Sequence, residues 1–266
     1  GIKGISLFLV PKILPNENGK IGENNSLECG SIEKKLGINA SPTCVMHYNE
    51  AKGWLVGSVN KGMKAMFVMM NGARLFVGIQ GLGISEVAYQ SALYYSKERL
   101  QGKSINSKNK ADPILVHPEI RKNLIHMKCL NEGIRALMLW VGSQFDIIKS
   151  SKDQKEKNNA ENIIALMTPI LKSFSTDVGC ESANTAIQIY GGHGYIKDHG
   201  IEQLLRDARI TTIYEGTNGI QALDLVGRKM QINNGALYDE FFNQIHNYIN
   251  ELSTNKDLKN HLEIFT

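Results

Sequence analysis

A mainly α fold, an antiparallel helical bundle preceded by a short β piece, is what this sequence predicts. Three observations carry the prediction. The first ~60 residues are strand-dominated, with short apolar runs parted by turn formers. No proline interrupts residues 43–112, and within them apolar residues recur almost all round from Met63 to Tyr95. From Ile120 onward the apolar residues keep helical spacing over about eight turns.

Taken in order, ISLFLV (5–10) reads as a strand ended by Pro11. The polar stretch 13–32 reads as a loop. Residues 43–58 read as a β-hairpin, with Asn49-Glu50 and Gly53 between short apolar pieces. Met63–Tyr95 predicts one long central helix of ~35 residues, ~50 Å at 1.5 Å per residue. Being apolar almost all round, it must be covered by others. A polar loop follows at 101–112. His117-Pro118 then opens a second helix, with proline in the first turn, that carries Leu124, Met127, Ile134, Val141 and Phe145 inward. SSKDQKEKNN (150–159) reads as a charged, solvated break. A third helix is expected over 161–178 and a fourth near 180–190, stopped by Gly191-Gly192. Short helices follow at 201–209 and 221–230, then an amphipathic tail at 236–251.

Composition narrows the function. The chain has 266 residues and a net charge of +4, with no arginine-rich arm or basic-aromatic alternation, so nucleic acid is not an expected partner. Cysteines 29, 44, 129 and 180 make no CxxC pair and match no zinc template, which suits reduced thiols in a cytoplasmic setting. No metal is expected, because the histidine spacings fit no ligand pattern. The N-terminal GIKGISLFLVPK is neither a signal nor a transit peptide. The most membrane-like window, 65–84, is interrupted by Asn71, Arg74 and Gln80, and reads as a buried helix rather than a span.

Chemistry-bearing residues concentrate in 188–219, QIYGGHGYIKDHGIEQLLRDARITTIYEGTNG. Glycines 191, 192 and 194 let backbone N–H groups approach an anion such as a pyrophosphate, or simply end a helix. Arg206, Asp207 and Arg209 read as an ion-pair cluster. Glu215 stands between the apolar ITTIY and a glycine-rich turn. By pattern it is either a cap or surface acid, or a carboxylate whose partial desolvation strengthens it as a base.

The stretch IYGGHGY…RDARITTIYEGTNGIQALDLVGRKM strongly resembles the C-terminal signature of the acyl-CoA dehydrogenases. GISLFLVPK is similar to the last part of that family's middle β-domain, and VNKGMKAMFVMMNGARLFVGIQGLGISEVAYQSALYYSKERLQGK to the first long helix of its C-terminal bundle. The HPEIR helix start matches the larger bacterial subgroup, which includes long-chain-type and methylmercaptopropionyl-CoA enzymes. The resemblance implies three parts: 1–60 as the end of the β-domain, 61–230 as the helical bundle, and 231–266 as the start of an extra helical domain. It also implies that the chain is the C-terminal half of a longer enzyme, inactive alone.

The same resemblance assigns roles. Glu215 corresponds to the catalytic base that removes the proton α to an acyl-CoA thioester while the β-hydrogen leaves to FAD. Arg99, His117, Gln188, Ile189, Tyr190, Gly191, Gly192, Thr217 and Asn218 correspond to FAD-contacting positions, the QIxGG stretch serving a neighbouring subunit. Asn71, Arg74 and Gly216 correspond to substrate-side positions. The partners implied are acyl-CoA, further copies of the chain in a homo-oligomer, and electron transferring flavoprotein. An acyl-CoA oxidase-like flavoprotein and a non-catalytic helical remnant are the competing expectations.

Overall fold

The computed structural model describes residues 2–253 and 255. Six short strands form three separate antiparallel pairs. β1 (Leu7–Leu9) pairs with β6 (Trp54–Val56), β2 (Ile13–Pro15) with β3 (Ile21–Asn24), and β4 (Leu27–Ile32) with β5 (Cys44–Tyr48). The expected hairpin over 43–58 is therefore absent, since β5 and β6 each pair with an earlier strand. The cause is Asn25. Its buried amide donates to the carbonyls of Pro11 and Lys52, at 2.8 Å each, and accepts from Lys52 N at 2.9 Å. This ties the 49–53 connector to the start of the chain. The expected loop over 13–32 is likewise ordered into strands. Asn16 Oδ1 accepts from the backbone of Asn18 and Lys20, closing the tight turn between β2 and β3.

The bundle is built from α1 (Gly62–Glu98), α2 (Pro118–Ser150) and α3 (Gln154–Tyr190). α1 and α3 run in the same direction, and α2 returns between them. The charged break is only residues 151–153, because Asp153 caps α3 by accepting from Lys155 N at 2.8 Å. The two helices expected over 161–190 are one. Gly179 lies in the interior of α3, and a Cβ there would stand 2.8 Å from the Gly81 carbonyl. A Cβ on Gly81 would in turn collide with the Ser175 carbonyl. Glycine here serves close helix–helix approach rather than termination.

One polar node fixes the register of the three helices. Ser85 of α1 hydrogen-bonds Asn131 of α2 and lies 2.7 Å from Ser182 Oγ of α3, all buried. Apolar packing surrounds it, with Met127, Ile134, Val141 and Leu171 almost fully covered. Each such side chain contributes roughly 2 kcal/mol.

α1 is covered on one side only. Val77 and Leu82 are buried, but Val68, Met69 and Phe76 are 80%, 66% and 71% exposed. α1 and α3 are both long and apolar enough to cross a membrane by length and composition, and most of the apolar window of α3 is buried within the bundle.

α4 (Gly192–Tyr195), α5 (Ile201–Ala208), α6 (Asn218–Gly227) and α7 (Ala236–Leu252) complete the fold. The tail beyond α7 lies outside the described residues, Ser253 and Asn255 apart. Arg206, Asp207 and Arg209 do not cluster as expected. Arg206 pairs with Glu202 at 2.6 Å and donates to the Leu36 carbonyl, and Asp207 accepts from Ile38 N at 2.6 Å. Arg209 turns to Thr212. Adjacent on α5, Arg206 and Asp207 anchor the segment after β4 to the bundle.

Gly81→Ala is expected to lower stability by about 1–3 kcal/mol, although alanine is the better helix former. Gly83→Ala, where a Cβ meets nothing within 4 Å, should instead stabilise by about 0.5–1 kcal/mol. Thermal denaturation of the two variants checks the pair.

Candidate active site

The expected residues fall into two groups. The first surrounds a cleft of about 570 Å³ where α1 and α3 end and α2 begins. Arg99, His117, Gln188, Ile189, Tyr190, Gly191 and Gly192 all line it. Arg99 follows α1, with its backbone N–H held by Tyr95 O at 2.9 Å. Its side chain is exposed and has no ion-pair partner among the described residues. His117 precedes α2, and its Nε2 lies 2.8 Å from the Gln101 carbonyl. A carbonyl only accepts, so Nε2 carries the hydrogen. No side chain caps α2, whose first N–H groups therefore open toward this end of the bundle.

The glycines divide by role. Gly191 ends α3 at φ +60°, and a Cβ on buried Gly194 would press on the Ile187 carbonyl at 2.5 Å. A Cβ on Gly192 would meet nothing. Its bareness is not required by the fold, which leaves its backbone open to a ligand.

Of the aromatic wall of this cleft, the sequence singled out Tyr190 as a site residue but not the rings around it. Tyr95 and Tyr190 stack at 4.0 Å, Tyr95 Oη lies 3.0 Å from His193 Nδ1, and His193 stacks on His199 at 4.4 Å. Burial, and then the neighbouring Tyr95, push the Tyr190 phenol up from its ordinary value. The 101–112 loop beside the cleft hangs on buried Asp112. Its carboxylate accepts from Ser104 N (2.8 Å), Ser107 Oγ (2.7 Å) and Asn109 Nδ2 (2.7 Å). These donors, the Ser104 N–H foremost, hold it well below the usual carboxylate range.

The second group surrounds Glu215, between the 3₁₀ turn Arg209–Thr212 and α6. Glu215 and Gly216 are consecutive left-handed residues, at φ +54° and +87°. For glutamate this conformation costs of order 1 kcal/mol and persists only where its surroundings impose it. They do. Buried Gln221 donates to the carbonyls of Glu215 (3.1 Å) and Gly216 (3.3 Å). Thr217 caps α6 by accepting from Ile220 N. Tyr214 donates to Gln80, and its phenol is pushed up chiefly by burial. Asn218 turns inward, its Nδ2 donating to Asp177 Oδ1 at 2.8 Å and its Oδ1 accepting from Lys172 Nζ at 2.9 Å.

Glu215 Oε2 is buried and has no hydrogen-bond partner, and its N–H meets no acceptor among the described residues. Arg74, 8% exposed, stands beside it. Its Nη2 is 3.9 Å from the position of a Gly216 Cβ, and its Nη1 is 3.6 Å from Asp224 Oδ2. The side chain of Asn71 lies outside the described residues. Along α1, Arg74 and Arg99 are separated by about 37 Å at 1.5 Å per residue. One chain thus keeps its two groups apart.

Residues 60–230 match the family described as acyl-CoA dehydrogenase, C-terminal domain. The chain belongs to the acyl-CoA dehydrogenase family. A curated relative, the 3-methylmercaptopropionyl-CoA dehydrogenase of Ruegeria pomeroyi, is 43% identical over 95% of this chain and 43% of its own length. The structure of Caenorhabditis elegans ACDH-11 in complex with C11-CoA shares the fold, at TM-score 0.83 and 24% identity, over 99% of this chain and 42% of that one. An acyl-CoA dehydrogenase complexed with FAD from Bacillus anthracis gives TM-score 0.65 at 25% identity, over 76% of this chain and 35% of that one. The chain therefore spans less than half the length of these relatives.

The depressed Asp112 carboxyl sets the sign of a pH effect. Its contribution is present above the unfolded value of about 4 and is lost as pH falls through the lower folded value. Hydrogen-exchange protection of the Ser104 amide is expected to hold through mild acid and to fail only in stronger acid. Asp112→Ala should cut that protection about tenfold or more at neutral pH.

Proposed function

We propose that this chain carries the base and part of the FAD site of an enzyme that dehydrogenates acyl-CoA thioesters between the α and β carbons. Residues 1–60 then end a β-domain, 61–230 form the catalytic bundle, and 231–266 begin a further helical region. The observation that carries the proposal is the state of Glu215. A glutamate held in a left-handed turn, with one oxygen buried and unpartnered and its own N–H free among the described residues, has no structural task that accounts for all three features.

The residues support each part of the reaction. The Glu215 carboxylate, partly removed from water, takes the proton from the carbon α to the thioester. Its backbone N–H donates to the thioester oxygen as charge develops there. Gln221 holds that N–H and carboxylate in one geometry through the two carbonyls it binds. Arg74 supplies a buried cation beside them.

The cleft fits the diphosphate end of FAD. Arg99 offers an unpaired guanidinium, α2 an uncapped N-terminus, Gly192 open backbone, and His117 a ring fixed by Gln101. Bound there, FAD supplies the acceptor for the β-hydrogen. The ~37 Å between the two groups on α1 favours a flavin shared between copies, one giving the cleft and another Glu215. Thr217, exposed next to the base, is free to meet the flavin, whereas the Asn218 amide is already engaged with α3. Electron transferring flavoprotein is the acceptor and the cytoplasm the compartment in this reading. The free cysteines suit a reducing setting.

The test joins this chain to the leading part of the Ruegeria pomeroyi relative and follows flavin absorbance on adding short-chain acyl-CoA. Bleaching is expected in the wild type. Glu215→Gln should keep FAD bound and slow bleaching by about 10³-fold or more. Undiminished bleaching in that variant would remove Glu215 as the base.

A further inference from the structure

The geometry points to Lys172 as a positioning residue that holds the Glu215 turn through Asn218 and sets the charge of the buried space beneath it. This rests on the reading of Glu215 as the base. Among the described residues Lys172 is the largest side chain with no exposure at all. It lies on the inner face of α3, between Thr168 and Thr176, which are also buried. Among the described residues its ammonium makes one hydrogen bond, to Asn218 Oδ1, and no ion pair within 4 Å. A buried ammonium with three donors and one neutral acceptor is costly unless a charge compensates it.

The compensation comes from around the turn. Burial, foremost, and Arg74 of α1 push the Lys172 ammonium below its ordinary value, and Asp177 on α3 and Glu215 offset this in part. Beside Arg74 stand Asp224 of α6, paired with Arg228 at 2.5 Å, and Lys229 just beyond the end of α6, while the Tyr214 phenol lies in the field of Glu215. Among the described residues Glu215 Oε2 has no hydrogen-bond partner and the Lys172 ammonium has one, and the glutamate favours the charged lysine.

The link to the base is also mechanical. Asn218 is the first residue of α6, three after Glu215, and bridges Lys172 to Thr176 and Asp177. Lys172 therefore fixes where α6 starts, and with it the left-handed pair at 215 and 216. Because Lys172 touches neither the cleft nor the open side of the turn, it acts through Glu215 rather than on substrate.

The test is a pH titration of the full chain by carbon NMR, with labelled glutamate and the Glu215 signal identified by its loss in Glu215→Gln. Lys172→Met preserves length and removes the charge. Loss of that positive charge is expected to move the Glu215 midpoint upward. Lys172→Arg keeps the charge and should leave the midpoint near that of the wild type. A purely structural lysine would lower thermal stability without moving the midpoint. Should Lys172→Met fail to fold, the reciprocal titration decides. In Glu215→Gln the Lys172 midpoint, read from labelled lysine, should fall. An unmoved Glu215 midpoint in folded Lys172→Met, an equal shift in Lys172→Arg, or an unmoved Lys172 midpoint in Glu215→Gln would overturn the inference. Neither titration contains flavin or acyl-CoA, so these results stand apart from the bleaching assay that tests the base itself.

Discussion

Two glycines facing each other set the geometry on which the rest of this molecule depends. At Gly81 and Gly179 the backbones of α1 and α3 approach so closely that neither position admits a Cβ without displacing main chain of the other helix. Everything along the shared axis follows from that spacing. Above it, Ser85 can reach both Asn131 and Ser182. Farther on, Tyr95 can stack on Tyr190 and close the side of the cleft. A wider spacing would disconnect both.

The site around Glu215 inverts the usual logic of a core. Buried polar atoms are normally paired. Here Glu215 Oε2, Arg74 Nε, Gln221 Oε1 and Asp224 Oδ2 are all covered and, among the described residues, without hydrogen-bond partners. They gather about one left-handed turn. Such concentration of unmet demand is costly to stability, and a reaction that develops charge at that place can use it. The cleft at the other end of the bundle works differently. Its polar groups are at the surface, where the Arg99 side chain has no ion-pair partner among the described residues and no side chain caps α2.

Much of this is legible in the sequence, for identifiable physical causes. The long helices announce themselves because apolar spacing kept over many turns buries a continuous stripe only when the chain is helical. The Glu215 turn is visible because an acid between ITTIY and GTNG is odd in composition as well as familiar in pattern. What escapes is non-local. Nothing near Asn25 in the sequence reveals that its amide will hold Pro11 and Lys52 together, so the strand pairing cannot be read from local signals. The one helix of 154–190 reads as two because the close contact of Gly179 with Gly81, far away in the chain, leaves no local signal. Lys172 gives a faint signal, one of several polar residues spaced along a single stripe of α3, but that stripe reads as solvent-facing until Asn218 is placed against it.

The uncovered side of α1 changes what stability means for this protein. Val68, Met69 and Phe76 keep a strip of oily surface in water, and such surface is rarely left bare on a solitary globule. Whatever settles on it adds to folding free energy by mass action. If the cover is another molecule of the same kind, dilution alone will loosen the chain and concentration will tighten it. Resistance to unfolding then belongs to the population of molecules rather than to any single one.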